Sequence, residues 1–113
     1  MNELILDLIK GLINITEKAR IKWSEGSSEN EYYINFEGKG IVIAKMINVE
    51  VKYELRFLRE DGGVQFAVSL SSSDGEIYQE MENLFNLITA KSSEASMTIE
   101  ELIKLIKAKD SEN

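Results

Sequence analysis

The sequence contains neither cysteine nor histidine among its 113 residues. Without cysteine, a disulfide, a thiolate metal site and a cysteine nucleophile are all excluded for this chain. Without histidine, the chain lacks the usual proton shuttle near neutral pH and the most common metal ligand. Serine–histidine and cysteine–histidine catalysis are therefore impossible with the residues of this chain alone.

Basic residues are also scarce, since 13 lysines and arginines face 20 acidic residues and the net charge is −7. Such a chain is poorly suited to displace counterions from nucleic-acid phosphates or to dock on an anionic membrane. No stretch is apolar over the length of a bilayer, and Glu3 and Asp7 stand where a signal peptide carries positive charge. We therefore expect a cytoplasmic protein with a single domain, residues 1–113.

The opening segment, ELILDLIKGLINI, predicts a helix with apolar side chains on more than one face. Two neighbouring apolar stripes cover an arc of about 200°, whereas a surface helix needs about 100°. This excess predicts that the helix packs on its own sheet and also on a second molecule. The side chains expected to reach beyond the protomer's own core are Leu6, Ile9 and Ile13.

The central part of the chain has the period of two that is typical of β-strands. Four runs show this period, at 32–36, 41–47, 51–57 and 64–70. A turn is predicted between the first two runs at Gly38-Lys39-Gly40 and between the last two at Asp61-Gly62-Gly63. The short Ile21-Lys22-Trp23 segment is a candidate extra edge strand. The pattern predicts an antiparallel meander of four or five strands with one covered face.

Two helices are predicted after the meander. The first begins near SSSDGE at 71–76, and its apolar face starts at Ile77. The serine-rich stretch 92–96 predicts a break, and Thr98 with Glu101 fits a capping box at the start of the last helix. The buried stripe of that helix is predicted to comprise Ile99, Leu102, Ile103 and Ile106.

Carboxylates are the only abundant groups in the chain that could do chemistry. Acidic residues are also favoured at helix N-termini for dipole reasons, and their spacing here matches no calcium loop. We therefore predict no catalytic residue, no metal site and no cofactor. Two acidic segments, 25–37 and 74–82, form instead a candidate patch for a basic partner. Its members are Glu25, Glu29, Glu31, Glu37, Asp74, Glu76, Glu80 and Glu82.

Three further side chains are candidates for an interface. Trp23 and Tyr33 are large and keep a polar tip, which is the kind of side chain that interfaces favour. Arg56 lies on the predicted outer face of the sheet and could join them. For Trp23 the alternative is that it closes the end of the core where the first helix meets the sheet.

Four short motifs support this architecture: Ile21-Lys22-Trp23, Glu31-Tyr32-Tyr33, Tyr53-Glu54-Leu55 and Asp61-Gly62. Their order resembles a scattered set of small, uncharacterised proteins of bacteria and their phages. The resemblance covers residues 1–90 and implies a helix, a tyrosine-bearing strand, a hairpin closed by Asp-Gly and a C-terminal helix. It carries no catalytic residues.

The sequence as a whole predicts an α+β protein, with an N-terminal helix, an antiparallel meander and two C-terminal helices packed on one sheet face. The expected function is a non-enzymatic protein-interaction module, a homodimer, that binds neither nucleic acid nor membrane. Two alternatives stay open. One is an inhibitor or immunity-type protein that binds a basic partner through the acidic patch, and the other is a small-ligand pocket between helix and sheet.

Overall fold

The computed structural model describes residues 2–18, 20–26 and 28–111 of the chain. The chain begins with helix α1 and ends with helix α2, and a five-stranded antiparallel sheet lies between them with its strands in chain order. A short 3-10 helix, Ser72–Asp74, leads into α2. The α+β class and the antiparallel meander are therefore confirmed. The elements are α1 (Asn2–Glu17), β1 (Ser24–Glu25), β2 (Glu31–Phe36), β3 (Lys39–Ile47), β4 (Val51–Leu58), β5 (Val64–Leu70) and α2 (Glu76–Ser111).

The turn between β2 and β3 begins one residue earlier than the glycines predict. Phe36 pairs with Lys39, so Glu37 and Gly38 form the two-residue turn, with φ of 48° and 89°. Two positive φ values are typical of the type I′ turn, which matches the twist of paired strands. The Asn35 side chain stabilises the turn, because its Oδ1 accepts a hydrogen bond of 2.9 Å from the Gly38 N–H.

The predicted edge strand at 21–23 is displaced along the chain. The observed edge strand is β1, in which Ser24 pairs with Tyr33 and Glu25 with Tyr32. Trp23 precedes it, is half-buried against the core, and donates from Nε1 to the Thr16 Oγ1 of α1 at 3.1 Å. Trp23 therefore joins the end of α1 to the edge of the sheet, as its alternative interpretation predicts.

Both helices pack on the same face of the sheet and enclose one apolar core. On α1 the buried stripe is Ile5, Ile9, Leu12 and Thr16, at spacings of four and three residues. Among the α2 residues whose side chains are described, the buried ones lie between Ile77 and Ile88. The sheet contributes the inward-facing residues of its strands, which are Ile34, Ile41, Ile43, Tyr53, Leu55 and Leu70.

Tyr53 lies at the centre of this core, with its hydroxyl in an apolar environment. The side chain is fully buried, and its ring contacts those of Tyr78 and Phe85 at 5.5 and 5.6 Å. Among the described residues, no group hydrogen-bonds the Tyr53 Oη. Burial raises the pKa of Tyr53 to about 12, with further contributions from the Glu82 charge and from Tyr78.

Replacing Tyr53 by phenylalanine is expected to increase the free energy of unfolding by about 1 kcal/mol at neutral pH, because it removes an unsatisfied buried polar group. Since folding raises the tyrosine pKa from 10.0 to about 12, the folded state disfavours the ionised side chain, and the free energy of unfolding is constant below pH 10 and falls as pH rises towards 12. The Tyr53→Phe variant should therefore show a shallower alkaline decline. Urea unfolding at neutral and alkaline pH measures both effects.

Tyr78→Phe is the matched control for this prediction. The Tyr78 Oη donates to the Val51 carbonyl oxygen at 3.2 Å, so the same change there removes a hydrogen bond and should destabilise the protein by about 1 kcal/mol. Equal losses of stability in both variants would contradict the prediction for Tyr53.

The helical region after the sheet differs from the prediction in one respect. The backbone of α2 is helical without interruption over 36 residues, so the break predicted at 92–96 is wrong. The Thr98 side chain of the predicted capping box lies outside the described residues. A helix of this length extends about 54 Å, and the molecule is correspondingly elongated, with extents of 63 × 32 × 27 Å. Among the described residues, neither helix carries an apolar stretch of the length that a bilayer crossing needs.

Candidate interaction surface

Helix α2 crosses the sheet and then leaves it at the edge formed by β1. Near its start, Tyr78 hydrogen-bonds to β4, and further along, the Thr89 Oγ1 lies 3.1 Å from the Tyr32 Oη of β2. Beyond β2 only β1 remains, about 5 Å away. Ile99 lies ten residues after Thr89, about 15 Å further along the helix axis. The helix therefore extends past the edge of the sheet.

The part of α2 beyond the sheet, residues 99–110, is here named the distal helix. Its described side chains are all exposed. Its large aliphatic residues Ile99, Leu102, Ile103, Leu105 and Ile106 have exposed fractions between 46% and 67%. The prediction that a buried stripe lies here is wrong, because the sheet that would cover it has ended.

The exposed stripe continues the buried stripe of the same helix. Ile99 follows Ile88 by eleven residues, or about three turns, so both lie on the same side of α2. Ile88 packs on the core, whereas Ile99, Leu102, Ile103 and Ile106 face the space beside the β1 edge. The sequence already contains the stripe, and only its exposure was missed.

The predicted interface on α1 is largely enclosed by the chain itself. Ile9 is 0% exposed, so its assignment as a residue that reaches beyond the protomer is wrong. Leu6 and Ile13 are half-buried and pack against the core. Two packed elements, the sheet and α2, cover the wide apolar arc of α1. The large aliphatic side chain that α1 leaves open is Leu4, at 74% exposed.

Leu4 borders a shallow apolar groove between α1 and the β4–β5 hairpin. The groove has a volume of about 410 Å³, and its lining includes Leu8, Phe57 and Phe66 together with the polar Gln65. The rings of Phe57 and Phe66 lie 5.8 Å apart, and Phe66 stays partly exposed. The groove lies on the same face as the core, and the described residues of its lining include neither a charged group nor a tyrosine.

An acidic loop, whose described residues are 24–26 and 28–31, lies at the edge where α2 leaves the sheet. Glu25 and Glu29 are exposed, whereas Glu31 is buried and holds the loop. The Glu31 carboxylate accepts hydrogen bonds from the N–H and hydroxyl of Ser28 at 3.2 and 2.8 Å. Gly26 packs so closely that a Cβ there would lie 2.7 Å from the Glu31 Cγ, which explains why glycine occupies this position.

Arg56 compensates the buried charge of Glu31 on the outer face of the sheet. Its Nη1 lies 2.7 Å from the Glu31 Oε1, and its Nε donates to Glu54. The hydrogen bond to Glu54, together with the negative charges of Glu54 and Glu31, raises the pKa of Arg56. Tyr33 lies two strands away from Arg56 in the same register, because Tyr33 pairs with Val42 and Val42 pairs with Arg56. The structure thus brings the predicted interface residues Tyr33 and Arg56 to one face, with Arg56 engaged inside the chain.

The predicted acidic patch is divided by the fold. Glu31 pairs with Arg56. Glu37 lies in the turn at the end of β2 that is opposite the acidic loop. Glu76 pairs with Lys10 at 3.2 Å, and Asp74 caps the 3-10 helix. Glu80 and Glu82 are half-buried on α2. The exposed members that remain close together in the chain are Glu25 and Glu29.

Within residues 2–18, 20–26 and 28–111, no group of three carboxylates is arranged to hold a metal ion. For contact with another molecule, the described surface offers the exposed aliphatic side chains of the distal helix and the exposed carboxylates of the acidic loop. Comparison with known protein families, curated proteins and solved structures finds no match to this chain. The resemblance to small bacterial and phage proteins accordingly stays a prediction.

Proposed function

We propose that this chain is a non-enzymatic protein-interaction module that forms a homodimer through the apolar stripe of its distal helix. The observation that carries the proposal is the exposure of four aliphatic side chains on one side of a regular helix. Contiguous apolar surface of this kind marks interaction sites in water-soluble proteins. The distal helix replaces α1 as the proposed contact, because the core of the protomer already uses the buried stripe of α1.

The size of the stripe sets the expected strength of the dimer. Eight half-exposed aliphatic side chains, four from each copy, would contribute on the order of 8 kcal/mol on burial. Association costs about 4–15 kcal/mol in lost freedom of movement. Because these two quantities are similar, the stripe by itself supports a weak dimer whose population depends on concentration.

The two alternative functions have narrower support. Binding of a basic partner is supported by Glu25 and Glu29, which the acidic loop holds exposed, but the other acidic residues are dispersed or paired. A small-ligand site has the open groove beside Leu4 as its support. Neither feature presents as much uncovered apolar surface as the distal helix.

Ile106→Glu tests the proposal, and Leu105→Glu is its matched control. Both side chains are 67% exposed and both changes add one negative charge, but Leu105 lies about 100° away from Ile106 around the helix. We expect Ile106→Glu to weaken dimerisation at least tenfold and Leu105→Glu to weaken it much less. Sedimentation equilibrium from micromolar to millimolar concentration measures both dissociation constants.

The circular dichroism spectrum and melting temperature of both variants should match those of the parent chain, since both side chains are exposed and lie outside the apolar core. A parent chain that stays monomeric up to millimolar concentration would overturn the homodimer. Equal effects of the two substitutions would also overturn the homodimer through the stripe, because they would show that association does not depend on the side of the helix that carries the stripe.

A further inference from the structure

We infer that the second copy lies antiparallel along the distal helix, so that the lysine-rich end of each distal helix docks on the acidic loop of the other copy. The inference rests on the proposed dimer and adds its orientation and a second contact surface, the acidic loop. Three features of the described residues carry it: the direction in which the stripe faces, the order of charges along the distal helix, and the position of the loop.

The stripe faces the side of α2 on which the sheet lies. Because the sheet ends at β1, a helix packed on the stripe would occupy the space beside that edge strand. The acidic loop contains β1 and so borders the same space. A partner helix in that space runs either away from this edge, in a parallel pair, or towards it, in an antiparallel pair.

The charges along the distal helix favour the antiparallel pair. Residues 99–103 contain two glutamates and no basic residue, whereas residues 104–110 contain three lysines and one carboxylate, Asp110. A parallel pair would place glutamates beside glutamates and lysines beside lysines. It would also bring the bodies of the two copies, meaning α1, the sheet and the start of α2, next to each other, although each chain has a net charge of −7. An antiparallel pair places each glutamate segment beside a lysine segment and separates the bodies.

The antiparallel direction also gives the acidic loop a partner. In that arrangement the end of the partner's distal helix, with Lys107 and Lys109, approaches the β1 edge of the first copy. Glu25 and Glu29 are exposed there, and the loop is held in place by Glu31 and Arg56 rather than by the partner. A preformed acidic surface therefore meets a basic helix end, and the two-fold symmetry of the pair provides this contact twice.

The absence of cysteine allows a direct test by disulfide cross-linking of introduced cysteines. Ser24→Cys places a thiol in β1, and Ala108→Cys places one near the end of α2; both positions are exposed and neither change alters the charge. The two single variants, distinguished by a mass tag, are mixed and oxidised. We expect the disulfide between residues 24 and 108 of different chains to dominate over the disulfide that joins two copies of residue 108.

A dominant link between two copies of residue 108 would show a parallel pair and overturn the inference while leaving the dimer intact. A dimer in sedimentation that forms neither link would also overturn it. A chain that neither cross-links nor dimerises would remove the proposed function as well. The two failures are therefore distinguishable.

Charge substitutions provide a second measurement with opposite expected signs. Glu25→Gln with Glu29→Gln should weaken the dimer about tenfold at low ionic strength and reduce its dependence on salt. The control, Glu37→Gln with Glu60→Gln, changes the net charge equally but at the opposite end of the sheet. Because it only lowers repulsion between bodies, it should leave the dimer unchanged or slightly tighter. Equal weakening by both pairs would contradict docking on the acidic loop.

Discussion

Replacing Ile9 by aspartate is expected to unfold the protein. Ile9, on α1, is fully buried against α2 and the sheet, and the described side chains that form the core around it are uncharged. An unpaired carboxylate buried there costs several kcal/mol in addition to the lost aliphatic packing. Domains of this size have a total stability of about 5–15 kcal/mol, so this loss removes most of it. Circular dichroism and urea unfolding measure the effect.

Leu4→Asp is the matched control on the same helix. Leu4 is 74% exposed, so the same change of charge should alter the free energy of unfolding by less than about 1 kcal/mol. If Ile9→Asp instead left the fold intact and changed only the molecular mass in solution, α1 would be an interface helix, and the enclosure of Ile9 in one chain would be wrong.

The second large effect is expected from Arg56→Met. This substitution keeps the aliphatic stem of Arg56 and removes the charge that compensates Glu31, whose side chain is only 8% exposed. Breaking a buried ion pair by removing one partner costs about 3–5 kcal/mol, and the partial exposure of Arg56 reduces this to about 2 kcal/mol. Urea unfolding of the variant measures the loss.

A double-mutant cycle separates the ion pair from packing. Adding Glu31→Gln to Arg56→Met removes the uncompensated charge, so the double variant should recover part of the lost stability. Lys52→Met is the control, because its ion pair with Glu50 is exposed and contributes less than about 0.5 kcal/mol. If Arg56→Met were no more destabilising than Lys52→Met, Glu31 would have another source of compensation.

Sequence periodicity predicted the sheet well, since strand residues alternate between two faces whatever they pack against. The inward positions of β4, Tyr53 and Leu55, are buried as their alternation indicates. The bounds of short elements were less predictable. The Ile21-Lys22-Trp23 segment has strand-like residues, but Trp23 bonds to Thr16 and the strand pairing shifts to Ser24 and Glu25. Backbone pairing at an edge depends on the neighbouring strand, which a local pattern does not contain.

The candidate site was predicted in part. The sequence indicated an excess of apolar surface, but the prediction assigned it to α1 because that segment has the wider apolar arc. Assigning Ile9 to an interface was wrong, since α2 and the sheet both pack against α1. The distal stripe was predicted as core because Ile99 and Leu102 have ordinary core spacing. The Glu31–Arg56 pair joins residues 25 positions apart, and no local pattern connects them.

The sequence by itself determined most of the helical and strand segments, the apolar stripe of α2 at 77–88 and 99–106, the order of charges on its last turns, and the absence of cysteine and histidine. Only the tertiary structure decided which part of that stripe is covered. A five-stranded sheet is about 24 Å across, whereas a 36-residue helix is about 54 Å long. The helix is therefore longer than the surface that could bury it, and the same residue types that form the core at Ile88 are exposed at Ile99.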